Sequence, residues 1–234
     1  MSVRNLLPIV FILLAASVAC NSSPTAAEGT VTVTQTTTTT TTIPIAAVNP
    51  GTIGTQPAGT GVAAATVLNF LLSPSGGVPP YTIAWNFGDG GAGAGTPAAH
   101  VFMSTGTFAA TATVTDSRGI SAQASAPISI RNVTGRWTAT FGGVLNPENI
   151  DLVQDLTSVT ATINETADGF ASGKGSVSNP RGLSVSATFA EGQPAPYAVT
   201  FIGTLNDTVT TWSGTVTGYA GCPCSFSATR LLPP

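Results

Sequence analysis

Between Thr107 and Thr115 the chain sets Phe108, Ala110, Ala112 and Val114 against Thr107, Ala109, Thr111, Thr113 and Thr115. A repeat of two places the first set on one face of a β-strand and the second on the other. The alternation returns at Leu183, Val185, Ala187 and Phe189, and again at Tyr197, Val199, Phe201 and Leu205, where Gly203 interrupts it. Each such strand has an apolar face that must be covered by another sheet or by closure of its own sheet, so the pattern predicts an all-β chain.

Composition agrees. Only 7% of the 234 residues are charged, against roughly 25% in an average soluble domain. The 26 glycines and 17 prolines predict frequent turns and stiff extended stretches. The formal net charge is -3 and Lys174 is the only lysine, which leaves no basic surface able to neutralise a run of phosphates; nucleic acid is excluded as a partner. A single histidine, His100, excludes many metal sites, and no cofactor or metal is expected.

The N-terminus is a targeting signal. Arg4 supplies a positive start, and Leu6 to Ala19 is an apolar run broken only by Pro8 and Ser17, ending in Ala16, Ser17, Val18 and Ala19 before Cys20. That run is short for a span of about 30 Å of hydrocarbon, so residues 1–19 read as a secretory signal peptide. Val18, Ala19 and Cys20 resemble the lipobox of bacterial lipoproteins, with Ser17 where that family prefers a branched residue. The resemblance implies diacylglyceryl attachment at Cys20, acylation of its freed amine, and a membrane held through the lipid anchor. Asn21 in place of Asp implies passage to the outer membrane. The alternative is plain secretion.

Residues 20–61 read as the lipidated N-terminus followed by a Thr/Pro-rich disordered linker. Thr36 to Thr42 is unbroken threonine, and Pro44, Pro50 and Pro57 follow. Too little apolar surface is present to repay ordering a core, and β-branched threonine favours extension.

A first folded unit is expected over residues 62–130, with strands at Ala65–Leu72, Tyr81–Phe87, Thr107–Thr115 and Ala122–Ile130. It contains Pro79-Pro80-Tyr81, Trp85-Asn86-Phe87-Gly88-Asp89-Gly90, His100-Val101-Phe102, Gly106-Thr107-Phe108 and Val114-Thr115-Asp116. Together these resemble the PKD domain, an Ig-like β-sandwich of surface proteins that mediates contacts with proteins or glycans. Phe102 and Phe108 stand where tyrosine is common, and Asn86 replaces the first aspartate of the turn. His100 reads as a structural partner of that turn rather than a catalytic group. Asp89 and Asp116 read first as turn and strand-end residues, with a weak calcium site as the open alternative.

Residues 131–234 are expected to form a second unit, an antiparallel meander closed into a small β-barrel or sandwich. Its expected strands are Arg136–Phe141, Val153–Ile163, Phe170–Val177, Leu183–Phe189, Tyr197–Leu205, Val209–Val216 and Ser225–Arg230. Gly135-Arg136-Trp137, Gly203-Thr204-Leu205-Asn206-Asp207, Trp212-Ser213-Gly214 and the closing Cys224 to Arg230 strand weakly resemble small barrel domains of bacterial lipoproteins. Some lipocalin-like barrels carry apolar ligands. A cavity lined by Trp137, Phe189, Phe201 and Phe226 would mark a carrier or sensor, whereas packed side chains would mark a structural module.

With Cys20 lipidated, Cys222 and Cys224 remain as an even pair, and in an oxidising compartment a local disulfide is their expected state. Catalysis is not expected. There is no Gly-x-Ser-x-Gly elbow, His100 is alone, and Glu148, Asp151, Asp155, Glu165, Asp168, Glu191 and Asp207 read as solvated loop acids unless two converge. The sequence therefore describes a non-catalytic cell-envelope lipoprotein whose first unit contacts an envelope protein or polysaccharide. The alternative is a carrier of a small apolar ligand.

Overall fold

Among the described residues sixteen strands follow one another: β1 (Gly54–Gln56), β2 (Gly61–Val62), β3 (Leu68–Leu71), β4 (Thr82–Asn86), β5 (Ala92–Ala94), β6 (Ala98–His100), β7 (Gly106–Thr115), β8 (Ser121–Arg131), β9 (Gly135–Phe141), β10 (Glu148–Asp155), β11 (Ser158–Glu165), β12 (Gly169–Ser178), β13 (Gly182–Phe189), β14 (Tyr197–Leu205), β15 (Thr211–Thr217) and β16 (Cys224–Arg230). The computed structural model describes residues 45–141, 148–165, 169–189, 196–218 and 223–231. No helix occurs among them. The fold is all-β, as the alternation requires.

The first eight strands make a sandwich. One sheet has the order β1-β3-β6 and the other β2-β8-β7-β4-β5. The predicted inward face of β7 is the one that is buried: Ala110, Ala112 and Val114 are fully covered. They meet Leu68, Phe70, Ile83, Trp85, Phe87 and Phe102 from both sheets. Phe70 lies at the centre, with ring centroids 4.8 Å from Phe87 and 5.4 Å from Trp85. The Trp85 indole N–H is satisfied by the Gly95 carbonyl at 2.8 Å, so the ring is buried without an orphaned donor.

Folded structure begins before residue 62. Residues 45–61 carry β1 and the first residue of β2, Val48 and Ile53 pack against the sandwich core, and Asn49 bridges Ser75 through paired backbone bonds. Their prolines and glycines punctuate short strands, a pattern that composition alone cannot separate from a tether.

From β9 onward the strands form a closed antiparallel barrel in the order β9 to β16, with β16 returning to β9. Eight strands replace the seven expected, because Val153–Ile163 is not one strand: β10 and β11 pair with Asp155 opposite Ser158, leaving Leu156 and Thr157 as a two-residue turn. Leu156 has φ 52°, a left-handed angle that hairpin turns normally fill with Asn or Gly, so the sequence carried no turn signal there.

The barrel interior is apolar. Trp137, Ile150, Leu152, Ile163, Leu183, Phe189, Phe201 and Trp212 are all at most 2% exposed. Its outer wall is hydroxylated: one register row runs Gly182, Thr204, Ser213, Ser227, Thr140, and the next Ser176, Ser184, Ile202, Thr215, Ser225. This is the reverse of a lipid-facing barrel, whose outer band is apolar. Closure at so small a radius requires strands to approach closely on the inner face. The cross-strand pair Gly203 and Gly214 does this, since a Cβ on Gly214 would lie 2.0 Å from the Ile202 carbonyl oxygen and one on Gly203 2.2 Å from that of Ser213.

Sandwich and barrel belong to one compact unit, residues 44–234. Val62 and Ala65, from the segment leading into β3, belong to the barrel's core rather than to the sandwich's. They close the end of the barrel where the tight turns after β10, β12 and β14 lie. Around them Thr66 Oγ1 donates to the Pro180 carbonyl at 2.6 Å, and Gln154 Nε2 to that of Ala63 at 3.0 Å. Arg181 donates to Asp207 at 2.7 Å, to the Thr60 carbonyl at 3.1 Å, and to the Ala58 carbonyl. Its side chain is only 10% exposed, so it is a buried clamp with acceptors on both partners.

Candidate functional site

The Asn86–Gly91 turn is built by its own side chains. Asn86 Oδ1 accepts the Gly88 N–H and Asp89 Oδ1 the Gly91 N–H, both at 2.9 Å. His100 Nε2 lies 2.7 Å from the second Asp89 oxygen. The imidazole stacks on Phe87 at 4.1 Å and meets Phe102 edge-on at 4.6 Å. A Cβ on Gly91 would approach His100 Cε1 to 2.5 Å, so glycine there makes room for the ring. Burial pushes the Asp89 carboxyl up, but the His100 hydrogen bond, the Gly91 N–H and the His100 charge outweigh it and hold the group below its ordinary value. The Nε2 edge of His100 is thus occupied by the turn, in the structural role read from the sequence.

Asp116 is committed in the same way. Its Oδ1 accepts the N–H groups of Arg118 and Ile120, each at 2.9 Å, and its Oδ2 accepts the Val78 N–H at 3.0 Å and the Arg118 guanidinium at 3.2 Å. Desolvation raises this carboxyl; the N–H groups of Ile120, Val78 and Arg118 lower it by more. Asp89 and Asp116 therefore serve separate turns, and no group of three metal-ligating side chains occurs among the described residues. Since both folded values are depressed, their contribution is present in full above the unfolded value near about 4 and is lost as pH falls through the folded values. Asp116→Asn is expected to flatten the acid side of the stability curve below about pH 4; urea titrations from pH 7 to pH 2 measure it, and an unchanged acid slope would contradict the assignment.

Of the acids weighed for hydrolysis, two are committed to arginine partners. Asp151 is held by Arg136 through two bonds of 2.8 Å, and that hydrogen bond is the main reason its pKa is lowered. Asp207 belongs to the Arg181 clamp. Glu148 begins β10, Asp155 ends it and Glu165 ends β11, while Asp168 and Glu191 lie outside the described residues.

Three of the four aromatics expected to line a carrier cavity pack on other rings. Phe201 lies 5.4 Å from Phe226 and 5.9 Å from Trp212, Trp212 lies 4.7 Å from Phe226, and Phe189 stacks on Tyr197 at 5.1 Å. Trp137 donates its indole N–H to the Val133 carbonyl at 2.9 Å. Cys224 is disulfide-bonded. Cys222 and Cys20 lie outside the described residues.

What the sequence did not reveal is a groove of about 400 Å³ beside the sandwich's open side, lined by Ile53 and Thr55, by Ala126 to Ser129 of β8, and by Asp207 and Thr208 of the barrel. Its parts come from segments more than a hundred residues apart, joined by the Arg181 clamp, and no local motif marks them.

Residues 50–130 match the family model described as PKD domain, starting, like the structure, before residue 62. No curated protein matches the chain. A solved structure from work titled "Structural basis for the promiscuous specificity of the carbohydrate-binding modules from the beta-sandwich super family" shares 15% identity, covering 79% of this chain and 92% of that one, with a TM-score of 0.36.

Proposed function

We propose that the chain is a non-catalytic lipoprotein of the bacterial cell envelope, exported by residues 1–19, anchored through Cys20 in the outer membrane, and contacting a protein or polysaccharide partner through its PKD sandwich. The observation that carries this reading is the PKD match over residues 50–130 behind a lipobox-like Val18-Ala19-Cys20. The side chains support it: Asp89, Asp116, Asp151 and Asp207 are each bound within the fold, which points to recognition by surface rather than by reacting groups. The aromatic packing of the barrel favours a structural module over a carrier.

The test is intact mass and membrane fractionation of the chain beside Cys20→Ala. The expected result is an acylated mass and membrane retention in the native chain, both lost in the variant. An unmodified, freely soluble native chain would sink the anchor. Binding to envelope fragments treated separately with protease and with periodate then distinguishes the partner: loss after protease indicates protein, and loss after periodate indicates glycan.

A further inference from the structure

Along β8, β2 pairs at Ile130 and Arg131, and Ala126 to Ser129 face the groove, so the edge away from β7 is open from Ser121 to Ser125 among the described residues. The backbone groups on this edge belong to the odd residues. Arg131 directs its carbonyl outward to the Ala63 N–H at 2.9 Å, and strand alternation repeats that orientation at 129, 127, 125, 123 and 121. Strand edges that stay alone are usually guarded by charge, proline or a bulge, and here the one proline, Pro127, stands beyond the open stretch. Ser121 to Ser125 carries no charge.

We propose that this edge joins two copies of the chain about a two-fold axis at Gln123. The segment Ser121-Ala122-Gln123-Ala124-Ser125 reads the same in both directions. In antiparallel pairing about Gln123, each copy sets Ser121 opposite Ser125, Ala122 opposite Ala124, and Gln123 opposite itself. Every outward N–H and C=O of residues 121, 123 and 125 then finds a partner, and one sheet runs through both sandwiches.

The flanking residues agree with this register. Pro127, which lacks an outward N–H, falls opposite Gly119 in the β7–β8 turn, so the ladder ends there without a lost bond. Ile120, 52% exposed in one copy, falls opposite Ala126 on the same face, which is the face of the groove lined by Ile53, Ala126 and Ile128. An exposed apolar side chain and the apolar part of the groove thus coincide in the register that the palindrome sets.

The test is sedimentation velocity of the purified full chain with Gln123→Lys and Gln123→Cys, the latter in a Cys20→Ala background. The native chain is expected at twice the monomer mass. Gln123→Lys, which sets like charges across the axis, is expected at the monomer mass with an unchanged circular dichroism spectrum. Gln123→Cys is expected to form an intermolecular disulfide under mild oxidation, because paired residues on the axis lie about 5.5 Å apart at Cα. Ser125→Cys, displaced from the axis, is expected to cross-link far less. A monomeric native chain, a dimer undiminished by Gln123→Lys, or equal cross-linking at 123 and 125 would each overturn the proposal.

Discussion

Gly214→Val is expected to lower the stability of the barrel by about 3 kcal/mol or more, the upper part of the range for overpacked sites. The first carbon of the new side chain would lie 2.0 Å from the Ile202 carbonyl oxygen and 2.5 Å from Gly203 Cα, both backbone atoms that no rotamer change can move aside. Relief requires β14 and β15 to separate, which disrupts the register that holds Trp212 against Phe226. Calorimetry should show a midpoint lower by roughly 6 °C or more for a unit of this size. Ser213→Val, one residue away and facing outward, should change stability by no more than about 0.5 kcal/mol. Equal behaviour of the two variants would refute the close-approach role of the glycine pair.

The second large effect is placed in the sandwich and read in the barrel. Val62 is 1% exposed and lies in the barrel's apolar core. Val62→Asp puts a carboxyl there without a partner. Holding it neutral at pH 7, about three units above its ordinary value, costs about 4 kcal/mol. Of the three tryptophans, Trp137 and Trp212 are in the barrel and Trp85 is in the sandwich. Urea unfolding followed by fluorescence is therefore expected to show the barrel's transition moved to lower urea together with the sandwich's. A barrel transition left in place would mean that Val62 does not close it.

That experiment also marks where sequence reading stops. Alternation identified β7, β13 and β14 with their buried faces, because a half-buried strand records its environment in every second residue. The turn built by Asp89 and His100 was legible because its residues are neighbours in a recognisable motif. Leu156 was not legible as a turn, since its left-handed angle is imposed by the pairing of β10 with β11 and not by its own preference. Val62 read as the start of one domain and serves as the stopper of the other; a single valine carries no mark of which core it enters. Arg181 and Gln154 were missed for the same reason, because the carbonyls they bind are more than ninety residues away in sequence.

The outer wall of the barrel has a consequence for the protein's surroundings. The rows of serine and threonine through β13 to β16 solvate by hydrogen bonding without ionisable groups, so the hydration of those rows does not change with protonation and is not screened by salt. Surfaces kept soluble by charge lose repulsion near their isoelectric point and at high ionic strength. The hydroxylated rows offer the same face to water through swings of acidity and salinity, and only the charged positions between them respond to either.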